Sequence, residues 1–139
     1  MLFRSEHGFG YRRSRFSELG GVALSSVLRL STGDPAVIGA AMEELGARRR
    51  ASQPLEYPSA GSTFKRPEGY FAGALIEQAG LKGKSAGGAQ VSEKHAGFIV
   101  NTGEATAADI LALISTVQEE VAARFGVRLE TEVRILGED

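Results

Sequence analysis

Several short stretches of this sequence carry side chains able to do chemistry. Ser62-Thr63-Phe64-Lys65 has the S-x-x-K spacing of acylating serine enzymes, in which the lysine eases loss of the serine proton. The S-D-N and K-T-G companions of that machinery are missing, and the chain is short for that fold. Glu132 falls in Glu130-Thr131-Glu132-Val133-Arg134. A carboxylate on the polar face of a strand usually meets water; it serves as a general acid only where its surroundings keep the proton on. Lys94-His95 offers a cation and an imidazole from a glycine-bounded loop, which a solvated surface loop explains equally. Gly83-Lys84-Ser85 has the ending of a phosphate-binding loop. That motif needs a glycine five positions before Gly83, and Gln78 stands there, in a segment that reads as helix rather than strand. Arg48-Arg49-Arg50 could hold a phosphate, but cations at the end of a helix are expected from its dipole alone.

Composition removes whole classes of function. The 139 residues contain 16 Lys+Arg against 17 Asp+Glu, a formal net charge of −1. That is not the basic excess of a sequence-independent nucleic-acid binder. Cysteine is absent, which excludes disulfides, thiolate metal sites and Cys nucleophiles and fits a reducing, cytoplasmic setting. The two histidines, His7 and His95, are far apart, so no metal site is expected. No apolar run is long enough to span a membrane, and the first residues contain no signal-peptide core. Glycine numbers 18, about twice ordinary usage, which calls for tight turns or backbone packed close to something else.

The elements that must position these side chains follow from periodicity. Residues 22–30, VALSSVLRL, are apolar and β-branched without a breaker and predict a strand. Asp34-Pro35 supplies a cap and a first-turn proline, and Ile38, Ala41, Met42 and Leu45 follow at helical spacing. Prolines and glycines make 51–70 a loop. Ala72, Leu75, Ile76 and Ala79 predict a short helix stopped by Gly80. Residues 82–97 read as loop, and Phe98-Ile99-Val100 as a short buried strand. The strongest helix is 106–125: Ile110, Ile114, Val117, Val121 and Phe125 share one face, Thr106 and Asp109 form a capping box with Asp in place of Glu, and Gly126 ends it. Residues 127–136 alternate as a final strand, with Val127, Leu129, Thr131, Val133 and Ile135 on one side and Arg128, Glu130, Glu132 and Arg134 on the other. The expected fold class is α+β, a small sheet covered by a layer of helices. Residues 1–20, where Arg4, Arg12, Arg13 and Arg15 crowd among aromatics and glycines, read as an extended arm before a domain at 21–139.

Three separated stretches, in order, carry a resemblance over essentially the whole chain. Gly61-Ser62-Thr63-Phe64-Lys65-Arg66-Pro67 with Gly69-Tyr70-Phe71-Ala72-Gly73, then Gly87 to Gly97 (GGAQVSEKHAG), then Leu129 to Glu138 (LETEVRILGE) resemble the UDP-N-acetylenolpyruvoylglucosamine reductase family. The arm Tyr11-Arg12-Arg13-Ser14 looks like its Y-R-x-S motif, with Arg13 where Asp is common. The family's inserted tyrosine-bearing loop is not seen, which points to its shorter type. The likeness implies the C-terminal substrate-binding domain, with the arm left from the end of an FAD-binding domain that these residues lack. The complete enzyme it implies is an oxidoreductase of peptidoglycan synthesis. NADPH reduces FAD, and the enolpyruvyl ether of a UDP-sugar is reduced to UDP-N-acetylmuramate. This piece alone is expected to hold neither cofactor. The resemblance makes Ser62 the proton donor and gives Arg12 and Glu132 the substrate carboxylate and its enolate-like intermediate. A guanidinium fork suits a carboxylate, and Glu132 would act in its protonated form. Tyr11, Lys65, Arg66, Tyr70, Lys94 and His95 are the implied contacts to the UDP-sugar, and Lys65, one turn from Ser62 if locally helical, would also steady the alkoxide. Two other readings stand beside this one: a stand-alone sugar-nucleotide binding module, and the serine acyl-transfer enzyme suggested by S-x-x-K.

Overall fold

In the computed structural model the described residues are 3–11, 13–20 and 22–137. The chain divides into two units, Met1–Pro35 and Ala36–Asp139. In the first, two short 3-10 turns, Arg4–Glu6 and Arg15–Glu18, flank a small closure in which Gly10 and Arg13 exchange backbone hydrogen bonds of 3.0 and 3.3 Å.

The strand expected over 22–30 does not form. Residues 22–34 hold no regular structure, and their apolar side chains face water, with Val27 94% exposed. A strand exists only where a neighbour takes its N–H and C=O groups, and none of the backbone pairings among the described residues involves 22–30. The next element, helix α1 (Pro35–Ser52), starts at the anticipated proline and carries Arg49 and Arg50 in its last turn. Its apolar positions Ile38, Met42 and Leu45 are exposed, and it buries no residue.

The rest of the second unit is a four-stranded antiparallel sheet with helices against it. The strands are β1 (Ser59–Ser62), β2 (Ser85–Ala86), β3 (Ala89–Val91) and β4 (Phe98–Asn101), in the order β1-β4-β3-β2. Helix α3 (Ala107–Phe125) packs on β2, β3 and the short helix α2 (Ala72–Gln78). Ile76, Val91, Val100, Leu113, Val117, Val121 and Leu129 are fully buried. The α+β class is therefore the observed one. The faces anticipated for α2 and α3 supply this core, Phe98-Ile99-Val100 is a strand, and both halves of the Thr106–Asp109 capping box are made.

Two expectations fail here for the same reason. Residues 51–70 contain β1, and 82–97 contain the β2–β3 hairpin, because strands of two to four residues leave no periodicity to read. The hairpin did leave another signal, Gly87-Gly88 between Ala86 and Ala89. Conversely, 127–134 keeps its alternation, with Leu129 buried and Arg128, Glu130, Glu132 and Arg134 exposed, but Ile135, expected on the inner side, is 70% exposed because the segment's pairing among the described residues is an isolated bridge between Thr131 and Phe64 rather than a continued strand.

The hairpin glycines are required by contact. Gly87 has φ +52°, and a Cβ there would overlap the Asp109 carboxylate; a Cβ on Gly88 would come within 2.4 Å of the Ala105 amide nitrogen. Hydrogen bonds from the Thr106 backbone first, then from its side chain and from the Gly88 backbone, hold the Asp109 carboxyl below its ordinary range against a smaller opposing effect of burial. The hairpin is thereby clamped to the start of α3.

Candidate functional site

The sequence-predicted site residues cluster around the end of β1. The β1–β4 register runs from Ser59 opposite Val100 to Ser62 opposite Phe98, so β1 carries one extra residue. Gly61, at φ +84°, absorbs this bulge, a conformation costly for any residue with a Cβ. Beyond the bulge Ser62 is exposed while Thr63 and Phe64 turn into the core.

Glu132 reaches this place from the far end of the chain. Gln118 of α3 donates to the Leu129 carbonyl at 2.8 Å, and Leu129 is buried beneath it. The segment then runs antiparallel to 63–65: Lys65 N–H donates to Glu130 O and Glu132 N–H donates to Thr63 O, both at 2.8 Å. Exposed Ser62 and exposed Glu132 thus both adjoin Thr63.

The neighbouring cations are placed by different means. Lys65 forms a 3.0 Å ion pair with Glu130. Arg66 lies over the Phe71 ring at 3.9 Å and donates to the Tyr70 carbonyl at 3.3 Å. With Tyr70 and Arg128 they line an open cleft of about 420 Å3, where Arg128 has no acidic partner among the described residues. Lys94 and His95 occupy the β3–β4 loop. Buried Ser92 shapes this loop by accepting from both their backbone N–H groups, at 3.2 and 3.3 Å. His95 Nδ1 accepts from Gly97 N–H at 3.1 Å, which leaves its proton on Nε2, and its ring meets Phe98 edge-on at 5.0 Å. Gly97 O in turn accepts from Thr63 N–H at 2.8 Å, so this loop adjoins the end of β1. Lys94 pairs with Glu56 at 3.5 Å. Tyr11 belongs to the N-terminal unit, and Arg12 lies outside the described residues.

The geometry corrects one chemical expectation. Ser62 and Lys65 do not share a helical turn: the chain between them is extended, which separates their Cα atoms by roughly 10 Å. Lys65 answers Glu130 instead. The Ser–Lys pairing of an acylating enzyme is absent, and Lys65 is not the neighbour that steadies a Ser62 alkoxide.

The described residues contain no group of three or more His, Asp or Glu suited to a metal ion, and none of their helices is long and apolar enough to cross a membrane.

Comparison with known proteins agrees with these motifs. The profile of the C-terminal domain of UDP-N-acetylenolpyruvoylglucosamine reductase matches residues 53–136. The chain is 57% identical over 136 residues to UDP-N-acetylenolpyruvoylglucosamine reductase of Limosilactobacillus fermentum, covering 98% of this chain and 45% of the relative. It is 58% identical over 138 residues to the enzyme of that name from Clostridioides difficile, covering 99% and 45%. The crystal structure of UDP-N-acetylenolpyruvylglucosamine reductase from Thermus caldophilus superposes with a TM-score of 0.78 at 39% identity, covering 94% of this chain and 46% of that one. The chain thus spans a little under half the length of these relatives.

Proposed function

Because the chain belongs to the UDP-N-acetylenolpyruvoylglucosamine reductase family, matching its C-terminal domain, we propose that it forms the substrate-binding side of such a reductase. The reaction is reduction of the enolpyruvyl ether of a UDP-sugar to UDP-N-acetylmuramate, a cytoplasmic step of peptidoglycan synthesis. FAD, reduced by NADPH and bound by a further domain, supplies the hydride.

This chain's residues do the rest. Ser62 gives its hydroxyl proton to the substrate carbon next to the one that receives hydride. Glu132 serves the enolate-like intermediate that forms beside the substrate carboxylate, and Arg12 grips that carboxylate with its fork. Lys65, Arg66 and Tyr70 serve the UDP-sugar from the cleft, Lys94 and the Nε2 side of His95 from the β3–β4 loop, and Tyr11 from the arm. In the domain division that goes with this reading, 1–20 is the arm and 21–139 the substrate domain. The observation that carries it is the 2.8 Å bond from Glu132 N–H to Thr63 O, which gathers family motifs from the middle and the end of the chain around one exposed serine.

The test is a chimera that joins these residues to the remaining length of the Limosilactobacillus fermentum relative. In stopped-flow absorbance, Ser62→Ala should leave flavin reduction by NADPH unchanged, since no proton goes to the sugar in that half-reaction. Reoxidation by the enolpyruvyl substrate should slow by ~10²–10⁴-fold, about 3–5 kcal/mol of barrier. Reoxidation at the unmutated rate would refute the assignment of Ser62.

A further inference from the structure

We propose that Thr63 is a positioning residue for this reaction: its buried hydroxyl locks the end of β1 so that Ser62 and Glu132 keep their relative places. The inference rests on the reading of Ser62 as proton donor. Thr63 is 3% exposed, and a hydroxyl buried that deeply needs a partner. Three hydrogen bonds converge on the residue. Its N–H donates to Gly97 O at 2.8 Å, its carbonyl accepts from Glu132 N–H at 2.8 Å, and its Oγ1 accepts from Ile99 N–H at 3.2 Å.

The last bond is the one only a side chain could supply. Along β4 the N–H groups of alternate residues face β1. That of Asn101 finds the Pro58 carbonyl at 2.9 Å, before the bulge. The extra residue at the bulge takes the carbonyls beyond it out of step, and the next such N–H, on Ile99, meets the Thr63 hydroxyl instead. The hydroxyl stands in for a backbone carbonyl at the point where the bulge turns Ser62 outward. Through its own carbonyl the same residue carries Glu132. Ser62 and Glu132, 70 positions apart in sequence, are therefore referred to one anchored residue between them.

The experiment compares Thr63→Val, which keeps size and β-branching but loses the acceptor, with Thr63→Ser, which keeps it. In the chimera Thr63→Val should slow substrate-driven flavin reoxidation by about 10–100-fold, the scale of a small misplacement of reacting groups. Flavin reduction by NADPH and the half-saturating substrate concentration should stay unchanged, and Thr63→Ser should restore the rate. In the 139-residue chain alone, Thr63→Val should speed hydrogen exchange of the Ile99 amide and shift the amide resonances of Ser62 and Glu132. If Thr63→Val does not fold, Thr63→Cys, of similar size with a weak sulfur acceptor, takes its place in both measurements. Unmutated reoxidation in Thr63→Val, or in Thr63→Cys where it takes that place, while Ser62→Ala is slow, would overturn the positioning role and leave the donor standing. Unmutated reoxidation in Ser62→Ala would remove the donor and this proposal with it.

Discussion

Helices α1 and α3 have nearly equal lengths, 18 and 19 residues, and opposite fates. Both present apolar residues at helical spacing. In α3, Leu113, Ile114, Val117 and Val121 are buried against the sheet and α2; in α1 no residue is buried. The contrast separates helix formation from helix docking. Caps, spacing and good helix formers are local and suffice to write both helices. Burial requires a complementary surface, and of these two helices α3 alone has one among the described residues.

Matched leucines put the largest effect on that contrast. Leu113→Ala in α3, at 1% exposure, should cost about 2–5 kcal/mol in urea unfolding. Leu45→Ala in α1, at 62% exposure, should stay within about 0.5 kcal/mol. Equal costs would show that α1 is covered in solution by another surface, and would break the comparison.

Matched glycines sharpen it with effects of opposite sign. Gly88→Ala, whose Cβ would crowd the Ala105 backbone at the start of α3, should destabilise by about 1–3 kcal/mol. Gly39→Ala in α1, where a Cβ meets nothing within 4 Å, should stabilise by about 0.5–1 kcal/mol through helix propensity alone. Thermal unfolding of the two variants reads both signs. A stabilised Gly88→Ala would mean that the hairpin is not clamped to α3.

The smallest effect concerns the α3 cap. The Asp109 carboxyl is held below its ordinary range when folded, so its share of stability is complete above the unfolded value near pH 4 and is lost as pH falls through the folded one. Unfolding followed between pH 5 and pH 2 should show this loss in the unmutated chain. Asp109→Asn should flatten that part of the curve, and an unchanged acid slope would assign the loss to other carboxylates.

How much was legible depends on the range of the forces involved. The capping box, the αL stop at Gly126 and the buried faces of α2 and α3 were readable because they are set by residues within a few positions of one another. The 22–30 segment has strand composition but no paired neighbour among the described residues, so local preference had nothing to act on. β1 was hidden inside a stretch rich in proline and glycine, where the bulge at Gly61 erased the alternation that marks a strand. At the site, Glu132 was expected on the polar face of a strand and is exposed, whereas Ser62 was read as part of a loop and instead ends β1. The helical Ser62–Lys65 relation was not found, because the turn it assumed is an extended segment whose lysine answers Glu130.

By itself the sequence determined the family, the α+β class and the main helices, since motifs, caps and periodicity are written in neighbouring residues. Only the tertiary structure decided that Glu132 hangs from Thr63, that a hydroxyl replaces a carbonyl opposite Ile99, and that Gly87 and Gly88 must be bare beneath Asp109 and Ala105. Each of these joins residues tens of positions apart through a hydrogen bond or a steric limit, and such a pairing exists only once the chain has closed on itself.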